Sequence, residues 1–178
     1  SIRNLKSTIA GMEGSVALPE GEDLLDVIGY LNQEVSKRKL AEKELLTTAN
    51  RLTGLIGNMQ TGLLAEDENR NIVLANERFC EFFGLPPHPE KLKGLSCATF
   101  AEDYKHYFKD PEHFVLRINK LVSEKKLHTG EIVETVSGLI LTRDYVPIFI
   151  EGRYYGHLWN YTDVTFQQRA RESIIQSE

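Results

Sequence analysis

The chain has 178 residues, of which 41% are hydrophobic, and a formal net charge of −5. This length accommodates one domain of ordinary size together with long helices. The 21 basic and 26 acidic side chains are spread without forming a basic face, which disfavours nucleic-acid binding. No apolar run approaches the roughly 18 residues that a membrane-spanning helix requires. The two cysteines, Cys80 and Cys97, lack metal-ligand spacing, which fits a reducing compartment.

The first 33 residues predict a short helix, an extended connector and the start of a longer helix. The short helix follows from the alternating spacing of Ile2, Leu5, Ile9 and Met12. Residues 14–21 form the connector, and the acidic pair Glu22-Asp23 then opens the next helix, as the helix dipole prefers. This arrangement resembles the end of a HAMP linker, the relay just inside the membrane in bacterial receptors, although Leu25 stands where that family often has glycine.

Residues 24–59 have the clearest periodicity, which predicts a helix about 55 Å long at ~1.5 Å per residue. Branched residues at one core position of the heptad and leucine at the other favour a parallel two-stranded coiled coil. Arg38 and Glu42 interrupt the apolar seam and could pair across a dimer to fix its register. The alternative is a single amphipathic helix lying on its own domain. The predicted seam comprises Leu24, Ile28, Leu31, Val35, Arg38, Glu42, Leu45, Ala49, Leu52, Ile56 and Met59.

The remainder of the chain predicts an α+β fold. Two strands come first, then helices, then three strands, so we expect a five-stranded antiparallel sheet with helices on one face. The dipeptide Glu151-Gly152 is a two-residue turn that joins the last two strands in a hairpin. The expected strands are 62–65, 72–75, 128–136, 139–150 and 153–161, and the expected helices are 76–83, 97–107 and 111–126, with polar, helix-forming sequence from 166 onward.

The first part of this region resembles the opening of a PAS domain. A short strand, a turn and a second strand lead to Asn76 and then to a helix that ends in Phe83-Gly84. The sequence departs from the family at the first turn, where Arg70-Asn71 replaces the usual glycine. Because asparagine tolerates the left-handed backbone conformation better than most residues, we expect Asn71 to preserve this turn.

The last strand ends in Asp163-Val164-Thr165, where PAS domains carry an Asp-Ile-Thr-like ending, so the resemblance covers residues 56–165. Side chains of Asp163 and Thr165 can accept hydrogen bonds from the first free N–H groups of the helix that follows. Together with Asn76, these two residues are the candidates for a signal-relay junction. Trp159 and Tyr161 of the same strand are expected to pack on the face of the sheet.

Four segments are therefore expected: a partial HAMP-like unit at 1–33, a coiled-coil signalling helix at 34–55, a PAS domain at 56–165, and the start of an output helix at 166–178. This order implies a homodimeric, non-enzymatic relay from the cytoplasmic part of a bacterial inner-membrane receptor, with a sensor histidine kinase favoured. Because the chain starts and stops inside predicted helices, we expect a fragment, with any membrane segment upstream and a kinase or other output domain downstream. The alternative is a ligand-free docking module in a diguanylate cyclase or a chemoreceptor.

The sequence offers little catalytic chemistry. It contains no Gly-rich phosphate loop, Gly-x-Ser-x-Gly or His-Glu-x-x-His motif. Haem is disfavoured because His113, near the start of the 111–126 helix, lies outside its apolar stripe. A flavin adduct is disfavoured because Cys80 lies within the earlier helix and the photosensing motif is absent. We therefore predict no metal, haem or flavin, and expect both cysteines to be buried thiols.

A pocket for an unidentified small molecule stays open as a hypothesis. PAS-like folds can hold a ligand between the sheet and the long helix. The alternative is that the same residues fill the core completely, since pockets and cores are both largely apolar. The candidate lining comprises Phe100, Phe114, Ile118, Ile132, Val146 and Leu158.

Overall fold

The structure is a computed structural model that describes residues 24–176. The predicted short helix and connector of the HAMP-like segment lie outside the described residues, as do residues 177 and 178. The chain divides into two compact units, one ending at Thr53 and the other beginning at Gly54.

Helix α1 (Leu24–Gly57) is 34 residues long, which confirms the prediction of a long helix before the sheet. Most of its apolar side chains are exposed, including Val35, Leu45 and Leu52. Within the described part of the chain, neither α1 nor any other helix is long and apolar enough to cross a membrane.

The second unit is built on a five-stranded antiparallel sheet with the strand order β2-β1-β5-β4-β3. The predicted α+β architecture is confirmed, and the incoming strand β1 lies directly beside the outgoing strand β5. The strands are β1 (Gly62–Glu66), β2 (Ile72–Ala75), β3 (His128–Glu134), β4 (Ile140–Ile150) and β5 (Arg153–Asp163). The helices are α2 (Glu77–Phe82), α3 (Cys97–Tyr104), α4 (Pro111–Glu124) and α5 (Thr165–Gln176), with single 3-10 turns at Pro89–Leu92 and Lys105–Tyr107.

Local signals in the sequence account for the helix ends. Asp110 accepts a hydrogen bond from the backbone N–H of His113 at 3.1 Å, and Pro111 occupies the first turn of α4. At the other end, Lys125 closes α4 in the left-handed conformation, with φ of 50°. Glu151 and Gly152 both have positive φ, as a two-residue hairpin turn between β4 and β5 requires.

The core lies between one face of the sheet and helices α2, α3 and α4. Side chains alternate along each strand, so every second residue of β4 and β5 is directed into this core. The rings of Phe108 and Phe114 stack with centroids 3.6 Å apart, and Phe83 meets Tyr161 edge-on at 5.1 Å. The expected packing of Trp159 and Tyr161 on the sheet is confirmed, and both cysteines are buried free thiols, as predicted.

The turn between β1 and β2 corrects one sequence prediction. Arg70, rather than Asn71, adopts the left-handed conformation, with φ of 70°. Asp67 makes this tolerable because its Oδ1 accepts hydrogen bonds from the backbone N–H groups of Asn69 and Asn71, at 2.9 and 2.8 Å. The backbone N–H of Arg70 also donates to the carbonyl of Asp67 at 3.1 Å, so the turn is held mainly by Asp67.

Candidate functional site

Asn76 ties the incoming chain to the sheet. Its Oδ1 accepts hydrogen bonds from the backbone N–H groups of Leu63 in β1, at 2.9 Å, and of Phe79 in α2, at 3.0 Å. Its Nδ2 donates to the carbonyls of Ile56 in α1, at 3.2 Å, and of Thr61, at 2.9 Å. One buried amide therefore joins the last turn of α1, the first strand and the N-terminus of α2. We call this the incoming junction.

Asp163 and Thr165 tie the outgoing helix to the sheet, and we call this the outgoing junction. Asp163 Oδ1 accepts the backbone N–H of Thr165 at 2.9 Å and its hydroxyl at 2.5 Å. The hydroxyl oxygen of Thr165 in turn accepts the backbone N–H of Ile140 in β4, at 2.9 Å. The backbone N–H of Val164 donates to the carbonyl of Ile140, also at 2.9 Å. Thr165 therefore links α5 to β4, whereas Asp163 supplies the helix cap.

A buried polar cluster lies on the core side of β1 and β5. The Glu66 carboxylate accepts hydrogen bonds from Trp159 Nε1 at 2.6 Å and from Arg70 Nε at 2.5 Å, and it lies 3.1 Å from His157 Nε2. Burial raises the pKa of Glu66, but His157 and Arg70 outweigh it and lower the pKa to about 2. The Tyr154 hydroxyl lies 2.6 Å from the other ring nitrogen of His157. Glu66 is therefore an anion held in the core by cationic and polar neighbours.

Burial, together with the neighbouring carboxylate of Glu66, raises the pKa of the Cys97 thiol, which disfavours the reactive thiolate. No group of histidine, cysteine and carboxylate side chains among the described residues has the geometry to hold a metal ion.

A second ion-pair cluster connects α4 with β3 and β4. Glu131 accepts hydrogen bonds from Arg117 Nε and from Arg143 Nη2, the latter at 2.6 Å. Burial would raise the pKa of Glu131, but the hydrogen bond from Arg117 and the charge of Arg143 lower it below its ordinary value. Arg143 is only 1% exposed, and its guanidinium carbon lies 5.2 Å from the centroid of the Phe114 ring.

The domain has a small interior cavity and a larger surface groove. The cavity between the sheet and the helices has a volume of about 20 Å³. That volume holds about one water molecule, which requires roughly 10–15 Å³. A groove of about 200 Å³ lies at the free edge of β3, bordered by residues 108–114 and 131–134 and by Arg143. We call it the β3-edge groove.

Comparison with known proteins agrees with this architecture. Residues 50–119 match the family model described as PAS domain. The domain has the PAS fold. The PAS domain of Bordetella pertussis BvgS is 13% identical, with 74% of this chain and 99% of that chain covered and a TM-score of 0.51. An RNA-binding light-oxygen-voltage receptor is 17% identical, with 72% of this chain and 36% of that chain covered and a TM-score of 0.52.

A further solved structure is the PAS domain of an HTR-like protein from Haloarcula marismortui, at 21% identity over 70% of this chain and 98% of that chain, with a TM-score of 0.47. No curated protein matches the chain. At these identities, the likeness to the BvgS domain and to the light-oxygen-voltage receptor shows the fold alone, and not a ligand or an output.

The structure brings together only half of the predicted pocket residues. Phe100, Phe114 and Ile118 line the small cavity inside the PAS domain. The predicted grouping is wrong for Ile132, Val146 and Leu158, which lie on the opposite face of the sheet. Leu158 pairs with Val146 in the register of β4 and β5, one position from the buried pair of Tyr145 and Trp159, so strand alternation turns it outward. Ile132 pairs with Thr142, which lies on the same face of β4 as Val146, so Ile132 is also directed away from the core.

Several charged residues of the PAS domain escaped the sequence analysis. Glu66, Arg143 and His157 are buried, although isolated charged residues in a sequence usually indicate a solvated surface. The alternation of side chains along each strand nevertheless indicated their burial. Each of the three lies an even number of residues from a buried leucine or aromatic residue of the same strand, and therefore faces the core.

Proposed function

We propose that this chain is a sensory relay module of a bacterial signal-transduction receptor, with a two-component sensor histidine kinase as the favoured class. It would act as a parallel homodimer through α1 in the cytoplasmic part of that receptor, with no catalytic site of its own. The observation that carries the proposal is the presence of a hydrogen-bonded junction at each end of the PAS domain. A relay requires an element whose arrangement responds at one end and is coupled at the other.

The two junctions are linked by neighbouring strands. Leu63 of the incoming junction belongs to β1 and pairs with Asn160 of β5, and β5 itself ends at Asp163. A shift of the last turn of α1 would therefore pass through Asn76 to β1 and across the strand pair to α5. The polar cluster around Glu66 ties the same two strands at their other end, so they are suited to move together.

The coil residues support the dimer in this proposal. Ile28, Val35, Leu45 and Leu52 of the predicted seam lie on α1 and are exposed, each by 44% or more, whereas Met59 follows the end of the helix at Gly57. Exposed apolar side chains at heptad spacing along a helix of this length are typical of an interface with a second helix.

The relay is tested by amide hydrogen exchange in the first turn of α5. Asn76→Ala removes four hydrogen bonds at the incoming junction, and we expect faster exchange at residues 165–169 if the sheet couples the two ends. Asp163→Ala should accelerate the same amides directly, because a lost helix cap costs about 1 kcal/mol. Asp163→Asn keeps the accepting oxygen and should exchange nearly as the parent chain does.

Asn160→Ala is the matched control for Asn76→Ala. Asn160 lies on β5, closer to α5 along the chain, and among the described residues its side chain donates only to Asp144, at 3.0 Å. The relay proposal fails if Asn160→Ala and Asn76→Ala accelerate α5 equally at equal global stability, since that result would mean general loosening.

A further inference from the structure

We propose that a groove at the outgoing junction is a contact site for a second copy of this chain, in which Phe166 packs against residues 55–59 of that copy. This inference rests on the homodimer proposed above and deepens it, because it names a surface through which one subunit would hold the outgoing helix of the other. The groove has a volume of about 770 Å³ and lies between Gln60 and Thr61 on one side and the first turns of α5 on the other. We call it the junction groove.

The chain enters and leaves the PAS domain at the same end of the sheet. Strands β1 and β5 are antiparallel neighbours, and Gly62 at the start of β1 pairs with Tyr161 near the end of β5. The last turn of α1 is fixed at this end by the hydrogen bond from Asn76 to the carbonyl of Ile56. In a parallel dimer joined through α1, both outgoing helices would consequently start beside the dimer axis.

Phe166 is largely unprotected by its own chain. Its side chain is 82% exposed, more than any other large apolar side chain in the described part of the chain. Among the described residues, no side chain of α5 is buried, and a helix of only 12 residues is marginal in water without packing. The start of α5 would therefore be stabilised by an apolar surface that its own subunit does not supply.

The charged groups of the junction groove already have partners. Arg78 forms an ion pair with Glu81 at 2.6 Å. Arg169 donates to the carbonyl of Gly138 at 2.9 Å, and Asp163 is used in the cap of α5. The rest of the lining is apolar or uncharged. An uncharged apolar segment therefore fits the groove better than a charged ligand, because a charge placed there would lose water without gaining a partner.

The end of α1 has the composition that this groove requires. Residues 52–65 contain no charged side chain, whereas residues 34–51 contain eight. Within the uncharged segment, Leu55 and Met59 are 62% and 44% exposed. Met59 is the last residue of the predicted seam, and Gln60, the next residue, already lines the groove. The seam between two copies would therefore continue directly into the junction groove, which favours a second copy as its occupant.

The contact would make each subunit a part of the other's outgoing junction. By two-fold symmetry, the end of α1 in one copy covers Phe166 of the other, and the reverse contact is identical. A shift of α1 would then reach α5 of the second copy directly, in addition to the route through Asn76 and the sheet of its own subunit. The two buried phenylalanine rings would also add apolar area to the dimer at the point where the coil ends.

Disulfide trapping between two variants of the full 178-residue chain tests this contact. One copy carries Met59→Cys and the other Phe166→Cys, and the native Cys80 and Cys97 are buried. Because a disulfide requires Cα atoms about 4.4–6.8 Å apart, it reports direct contact. We expect a covalent heterodimer on mild oxidation. Tyr155→Cys in place of Phe166→Cys is the control and should give none, since Tyr155 is an exposed aromatic residue near the opposite end of β5.

Phe166→Ala gives an independent measurement of the same contact. Because Phe166 is exposed in the single chain, its truncation should leave the PAS domain folded and raise the Kd of the dimer about tenfold in sedimentation. Tyr155→Ala should leave the Kd unchanged. In a dimeric protein, either a missing disulfide or an unchanged Kd for Phe166→Ala would overturn the contact and leave the relay through α1 standing. A monomeric parent chain would contradict the homodimer itself, so the two failures are distinguishable.

Discussion

Glu66 is almost completely buried and yet charged, and its neighbours explain how the core tolerates this. Trp159 and Arg70 donate to its two oxygens, and His157 lies 3.1 Å from one of them. These contacts connect the β1–β2 turn with β5, so the cluster fixes the relative position of the two strands. Removing a single partner would leave a buried charge without compensation, which is far costlier than losing an exposed ion pair.

The lowered pKa of Glu66 predicts an acid-dependent loss of stability. The pKa is about 2 in the folded protein, against the ordinary 4.5 in the unfolded chain, so the unfolded chain binds the proton first as the pH falls. The stabilisation is therefore complete above about pH 4.5 and is lost as the pH falls towards 2. We expect a contribution of about 3 kcal/mol at neutral pH, as an upper value.

Urea unfolding of the parent chain and of Glu66→Gln, measured from neutral pH down to about pH 3, checks this prediction. The difference in unfolding free energy between the two proteins should shrink as the pH falls. Glu68→Gln, an exposed acid in the adjoining turn, is the control and should follow the parent chain at every pH. A constant difference between Glu66→Gln and the parent would mean that the ionisation of Glu66 does not stabilise the fold.

At the scale of secondary structure, strand β5 approaches the β1–β2 turn through Gly156. This residue has φ of 106°, and a Cβ atom there would lie 1.9 Å from the carbonyl oxygen of Glu66. No side chain can occupy that position without moving the backbone of β1. Gly156 is thus what allows β5 to present His157 and Trp159 to the Glu66 carboxylate.

Gly156→Ala should therefore destabilise the domain by several kcal/mol, through backbone displacement added to conformational strain. Gly130→Ala is the matched control, because Gly130 also has positive φ, at 73°, but a Cβ there meets no atom within 4 Å. Its cost should be limited to the strain of about 1 kcal/mol. Thermal unfolding of both variants measures the difference, and similar melting temperatures would show that the β1–β5 approach is not tightly packed.

The positions of the strands could be predicted from the sequence, but the face of the sheet on which each side chain lies could be predicted only in part. Pattern and turn chemistry located every strand of the sheet, because apolar runs, Glu151-Gly152 and Asp163-Val164-Thr165 are local signals. The outward direction of Val146 and Leu158 was missed because both faces of β4 and β5 carry apolar residues. The face on which each residue lies is fixed by the strand register. Register depends on the partner strand, so the sequence of either strand alone does not give it.

The buried charges show the same limit for the candidate site. Arg143 and Glu131 are twelve residues apart and meet only because β3 pairs with β4, whereas Arg117 reaches them from α4. Single-residue propensity assigns each to the surface. Asn76, Asp163 and Thr165 were singled out because the motifs that contain them are local in sequence, although the partner of Thr165 in β4 was not foreseen.

For the whole molecule, oligomeric state decides whether a relay through α1 is physically reasonable. A lone helix of 34 residues with many exposed apolar side chains gains little from folding by itself, since helix formation in water is marginal without packing. A second copy aligned in parallel would bury the seam and place both PAS domains at the same end. Leu46 and Leu55, which flank the seam, are also exposed and would widen the buried surface.

The dimer is tested by sedimentation of Leu45→Asp/Leu52→Asp, which introduces two charges into the predicted seam. We expect a monomer, because a buried carboxylate without a partner costs several kcal/mol and each subunit contributes two. Gln33→Asp/Leu40→Asp introduces the same charges on the opposite side of the heptad, and it should stay dimeric. If the seam variant keeps the mass of a dimer, another surface must hold the subunits together and α1 would not be the route of the signal. If both variants are monomers, the loss reflects added charge rather than the seam, and the parallel coil would have to be abandoned as the basis of the relay.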